Sequence, residues 1–120
     1  MKVNFFHVCD LAFIAEDNRT ISLIRIFEYI NTGQLPTIYP RFSTVFNLSG
    51  DPGKYSYKIK ILSPDGKSLL AEARGEFIVY KSDEPIGLIG NFLGVVFLEY
   101  GDYRIQLEVN DNPIGEHEDY

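Results

Sequence analysis

From Tyr103 to Val109 the chain reads YRIQLEV, with apolar and polar residues alternating at every step. A period of two is the pattern of a β-strand with one face in a core and the other in water. Turn residues bound it, Tyr100-Gly101-Asp102 before and Asn110-Asp111-Asn112 after. The same period recurs upstream. In Arg41 to Ser49, Phe42, Thr44, Phe46 and Leu48 would face in, and Ser43, Val45 and Asn47 out. Tyr55, Tyr57, Ile59 and Ile61 alternate with Ser56, Lys58 and Lys60; Ala71, Ala73, Gly75, Phe77 and Val79 alternate with Glu72, Arg74 and Glu76. Between these two runs Ser63-Pro64-Asp65-Gly66-Lys67 is a hairpin turn, because Pro presets φ and Gly supplies a positive φ.

The remaining segments fit the same class. Val3 to Ile14 reads as a strand, or a pair broken near Asp10, with apolar residues on both faces. Thr20 to Ile30 has polar residues at every third position, which fits a helix, but its β-branched content favours a strand with a bulge or face switch near Arg25. Asn31 to Pro40 is a loop. Ile86 to Tyr100 carries Gly87, Gly90 and Gly94, which within a strand mark bends, and a kink is expected near Gly94. Pro113-Ile114 is a short last strand at most. About seven to eight short strands with turns between them make an all-β, antiparallel β-sandwich. A single domain is expected over 1–115, followed by a solvated acidic tail, 116–120.

The chain has 120 residues, enough for one core without a disulfide or metal. Its net charge of −6 argues against nucleic acid as a partner. The longest apolar run is shorter than the ~20 residues of a membrane span, and polar residues interrupt the N-terminal run, so no membrane and no targeting signal are expected. The single cysteine, Cys9, excludes an intrachain disulfide and suits a reducing, cytoplasmic location.

Phe6-His7-Val8-Cys9-Asp10-Leu11-Ala12, Ile21 to Phe27, Ser63-Pro64-Asp65-Gly66 and Gly94-Val95-Val96-Phe97 leading to Gly101-Asp102-Tyr103 follow one another in an order that resembles a family of small uncharacterised bacterial proteins. The resemblance implies an immunoglobulin-like β-sandwich and a bacterial, cytoplasmic origin. It implies no catalytic or binding residue.

Candidate sites are sparse. His7 and Cys9 share one strand face, but side chains two apart stand roughly 6–7 Å from each other, too far for general-base activation. A buried thiol beside a hydrogen-bonded His is the expectation. Asp10, inside an apolar run, must be paired or hydrogen-bonded. Tyr103 has the placement of a tyrosine corner. Asn47-Leu48-Ser49 matches the glycosylation pattern, which has meaning only in a secreted chain. If each turn reverses the chain once, Glu16, Asp17, Asp51, Asp83, Glu84 and Asp111 gather at one end. Loop carboxylates of that kind, chiefly Asp17, Asp51, Asp83, Glu84 and Asp111, are what a Ca²⁺ site would use, although no fixed ligand spacing is present.

No cofactor motif and no nucleophile–base pair stands out, so the expected function is a non-enzymatic module acting through protein–protein contacts. Self-association through a sheet edge or face near Arg41 to Ser49 is expected, because that strand has no charge after Arg41. The alternative is a small-ligand or carbohydrate binder using loop-end aromatics such as Tyr39 and Tyr100.

Overall fold

A computed structural model of the chain describes residues 1–14, 21–26, 35–82 and 84–119, with the side chains of 13–14, 21–22, 24–26 and 115–119 outside the description. Among the described residues there are eight strands: β1 (Lys2–Ile14), β2 (Ile21–Ile26), β3 (Thr37–Ser49), β4 (Gly53–Leu62), β5 (Leu69–Val79), β6 (Ile86–Phe97), β7 (Tyr103–Val109) and β8 (Asn112–Asp119). They form two antiparallel four-stranded sheets, in the orders β2-β1-β3-β6 and β5-β4-β7-β8. The all-β expectation therefore holds, and Ile21–Ile26 is strand. Among the described residues no helix is long and apolar enough to cross a membrane.

The inward residues of the period-two runs build the core between the sheets. Phe46, Leu48, Ile59, Ile61, Ile105 and Leu107 are buried in one cluster with Phe42 and Phe92, whose rings stack at 5.2 Å. Burying large apolar side chains of this kind contributes about 1.5–3 kcal/mol each, which is what holds the layers together. The turns behave as their residues dictate. Gly66 has φ 75° in the β4–β5 turn, where Asp65 accepts hydrogen bonds from the Ser63 hydroxyl and the Lys67 N–H. At the base of β7, the Tyr103 hydroxyl donates to the Glu99 carbonyl at 2.8 Å and accepts from the Glu99 N–H at 3.2 Å. That is the corner its position foretold.

Gly94 has φ 63° and lies opposite Pro40, between the pairs Arg41–Leu93 and Tyr39–Val95. Both strands switch faces there together: Phe42 and Phe92 point inward on one side of the kink, Tyr39 and Val95 on the other. The expected bend is thus a matched kink in two neighbouring strands.

Thr37 to Pro40, expected within a loop, belong to β3, and five further expectations need correction. Ser43 and Val45 do not face water; they are 0% and 1% exposed. The strand carrying them is central, paired on both sides, and Val45 joins Cys9 and Ala12 in a second apolar cluster with Leu23 and Ile89. Ser43 is satisfied across the sheet, donating to Asn91 at 2.7 Å. Next, β1 is unbroken at Asp10; its irregularity lies between Val3 and Phe5. Third, β2 keeps one register from Ile21 opposite Ile14 to Ile26 opposite Cys9, without a bulge at Arg25; Thr20 and positions 27–30 lie outside the described residues. Fourth, β8 continues to Asp119, whose backbone lies opposite Tyr103, so positions 116–119 form strand and not a tail. Polar side chains do not prevent an edge strand from pairing, because the ladder is made by the backbone.

Fifth, counting one reversal per turn fails between β2 and β3. Both run antiparallel to β1, so they are parallel to each other. The first strand starts with Lys2 opposite Ser49 and ends with Ile14 at the far end of the sheet. The turns at 50–52, 80–85 and 110–111 do share an end, since Leu48 lies opposite Ile86, Gly53 opposite Val79, and Tyr57 opposite Val109.

Candidate functional site

A sandwich offers chemistry at its turns, on its faces and along its edges. The turns carry the expected metal residues. Asp17 and Asp83 lie outside the described residues. Asp111 pairs with Lys58 at 3.3 Å, and Glu84 lies 3.9 Å from Lys81. Asp51 is exposed, and its carbonyl accepts from the Tyr55 hydroxyl. Among the described residues no group of three His, Cys, Asp or Glu side chains is placed to hold a metal ion.

Cys9 is 0% exposed. Burial pushes its thiol pKa up, and the thiol donates a hydrogen bond to the Leu11 carbonyl at 3.4 Å. A thiol held protonated and out of solvent is a poor nucleophile. His7 packs against Phe5, ring centroids 5.3 Å apart. Asp10 is half-buried and accepts a hydrogen bond from the Tyr39 hydroxyl at 3.1 Å. That bond, with the edge-on packing of Tyr39 against Phe42, commits Tyr39 to structure.

The outer face of the β5-β4-β7-β8 sheet is charged. A shallow groove of about 300 Å³ crosses it beside Lys58, Arg74, Glu108 and Asp111. Its charges neutralise one another. Lys60 bridges Glu108 at 2.7 Å and Arg74 bridges Glu72 at 2.7 Å. The Glu108 carboxylate raises the Lys60 pKa chiefly through that hydrogen bond. A groove whose charges are already paired offers little to an ionic ligand.

The edges differ more sharply. The terminal strands of the two sheets are β2, β6, β5 and β8. Natural sheets protect such edges with charges and proline, because unpaired N–H and C=O groups recruit other chains. Here β5 carries Glu72, Arg74 and Glu76, β8 carries Pro113, Glu116, Glu118 and Asp119, and β2 carries Arg25. In contrast β6, IGLIGNFLGVVF, has twelve residues without a charge or a proline. Outward-facing apolar residues stand on both sides of the Gly94 kink and just beyond the end of β6. Leu93 is 76% exposed, Val96 41% and Leu98 73%. Ile38 of β3, 62% exposed, lies opposite Val96, and Tyr100 follows at 69%. Among the described residues, these exposed apolar side chains lie beside a terminal strand that carries no charge, a combination that in proteins generally marks a surface able to take a partner.

The strand near which association was expected, Arg41 to Ser49, lies inside the sheet, directly beside the terminal β6. In the sequence, lack of charge marks two strands, Phe42 to Ser49 and Ile86 to Phe97. Strand order, which decides which of them is terminal, arises from pairings between residues far apart in the chain.

Residues 4–118 match a family described as a family of unknown function, DUF6941. No curated protein and no solved structure matches the chain.

Proposed function

The chain belongs to this family of unknown function, and from its geometry we propose that it is a non-enzymatic binding or assembly module that recruits a partner strand along β6. The observation that carries the reading is the uncharged β6 edge with Leu93, Val96 and Leu98 exposed beside it. Backbone hydrogen bonds from the added strand would supply affinity, and the apolar side chains would supply selectivity. The buried, protonated Cys9 thiol supports the non-enzymatic part of the reading. A cytoplasmic location fits the single cysteine.

An immunoglobulin-like topology belongs to the same proposal. The sequence-adjacent β3 and β4 lie in different sheets, and so do β5 and β6, and β6 and β7. The order β1-β3-β6 against β5-β4-β7-β8, with β2 as an addition and the Tyr103 hydroxyl bonded to Glu99 at the start of β7, supports that reading.

Site-specific photo-cross-linking in cells tests the function. A photoreactive amino acid at Leu93 or Leu98 should yield adducts, whereas the same group at Arg74, on the charged face, should not. Adducts at Arg74 alone, or at none of the three positions, would refute β6 as the binding edge.

A further inference from the structure

We infer that the strand recruited by β6 is the β6 of a second copy of this chain, paired antiparallel about a two-fold axis at Val96. The inference rests on the edge reading above and names its partner.

An isologous contact must be self-complementary: whatever stands on one side of the axis meets what stands on the other. The surface around Val96 meets that condition in three ways. First, Leu98 projects on one side of the axis, and on the other Gly94 leaves open space, with no atom within 4 Å of where a Cβ would be. A two-fold at Val96 sets Leu98 of each copy over Gly94 of the other. Second, the patch is polarised. Exposed Arg41 flanks it beside Leu93, and exposed Glu99 and Asp102 flank it beyond Leu98. The same axis brings Leu93 of one copy next to Glu99 of the other. Arg41 and that glutamate are then two strand spacings apart, about 10 Å between backbones, within the combined reach of their side chains. A chain of net charge −6 otherwise repels its own copy, and here the opposed ends attract.

Third, the exposed apolar side chains offer more than half of each partner's share of a standard interface. Ile38, Leu93, Val96, Leu98 and Tyr100 together offer on the order of 500 Å² of side-chain surface, and the backbone rim adds to it, against about 800 Å² per partner in a standard interface. The product is one continuous sheet, β2-β1-β3-β6 joined to its symmetry mate, with the two β6 edges removed from solvent.

Sedimentation equilibrium of the purified chain, with loading from about 5 to 300 µM, tests the dimer. The expected result is a weight-average mass that rises from 13.7 kDa toward twice that value. Val96→Lys should remain monomeric throughout, with its circular dichroism melt retained because Val96 is on the surface. Arg41→Glu and Glu99→Arg should each weaken association about tenfold, and the double variant should recover most of that loss. A wild-type chain that stays monomeric at 300 µM overturns the dimer. So does a double variant no better than either single, because it removes the two-fold register. Cellular adducts at Leu93 whose masses fit other proteins, together with a monomeric purified chain, overturn the dimer and leave the binding-module reading standing. Absence of adducts at both Leu93 and Leu98 defeats that reading itself.

Discussion

Tyr103→Phe removes one oxygen from the corner that starts β7. The ring itself stays, edge-on to Phe97 with centroids 4.8 Å apart and only 7% of the residue exposed. What is lost is the bond donated to the Glu99 carbonyl at 2.8 Å and the one accepted from the Glu99 N–H at 3.2 Å. A net hydrogen bond is worth about 0.5–1.5 kcal/mol, and two would give about 1–3 kcal/mol. Glu99 is exposed, so water can replace the hydroxyl on both backbone groups, which puts the loss at the lower end, about 1–1.5 kcal/mol. Tyr103→Ala would also remove the ring, and a buried aromatic truncated to alanine costs about 3–5 kcal/mol. The assay is urea unfolding followed by circular dichroism, with the slope compared as well as the midpoint. The phenylalanine variant should lose about 1–1.5 kcal/mol at unchanged slope, and about 3–6 °C in Tm. A phenylalanine variant as stable as wild type would refute the corner as a source of stability. A loss as large as that of Tyr103→Ala would show that the ring had moved.

Gly90→Ala should destabilise by about 1–3 kcal/mol, because a Cβ would lie 2.9 Å from both Ile59 Cδ1 and Thr44 Oγ1 where the two sheets meet; chemical denaturation reads it. Native Cys9 should react with a thiol-specific disulfide reagent only as fast as the protein opens, and at full rate in denaturant, because it is 0% exposed with a raised pKa; rapid labelling of the folded chain would contradict its burial. The Ser63 hydroxyl, then the Lys67 N–H, hold the Asp65 carboxyl below the ordinary aspartate range. Its contribution is therefore complete above that range and lost as pH falls through the folded pKa. The difference in Tm between wild type and Asp65→Ala should be constant near neutrality and shrink as the solution is acidified.

Local rules carried far in this chain. The alternation in Tyr103–Val109, the Pro-Asp-Gly turn after β4, the kink at Gly94 and the hydroxyl of Tyr103 all depend on residues a few positions apart, and each appears where those residues place it. What escaped was decided at long range. Ser43 and Val45 read as outward-facing because alternation reports only that a strand has two faces, not that both are covered. Asn91, the partner that satisfies Ser43, lies 48 residues away. The parity of the turns failed at one place, where β2 and β3 both pair with β1, and a pattern of polar and apolar residues does not encode that choice. The candidate site followed the same division. Its chemistry, an uncharged run of Ile86 to Phe97, is written in the sequence, while its exposure depends on β6 being last in its sheet.

Hydrogen exchange of the β6 amides, measured over a series of protein concentrations, tests the open edge most directly. In dilute solution the outward-pointing amides of Ile86–Phe97 should exchange far faster than those of β3, which is hydrogen-bonded on both sides. As concentration rises, protection should grow in β6, most strongly around Val96, and stay constant in β5. Amides of β6 as slow as those of β3 at the lowest concentration would mean that the edge is already covered, and protection that never changes with concentration would mean that no second copy binds there.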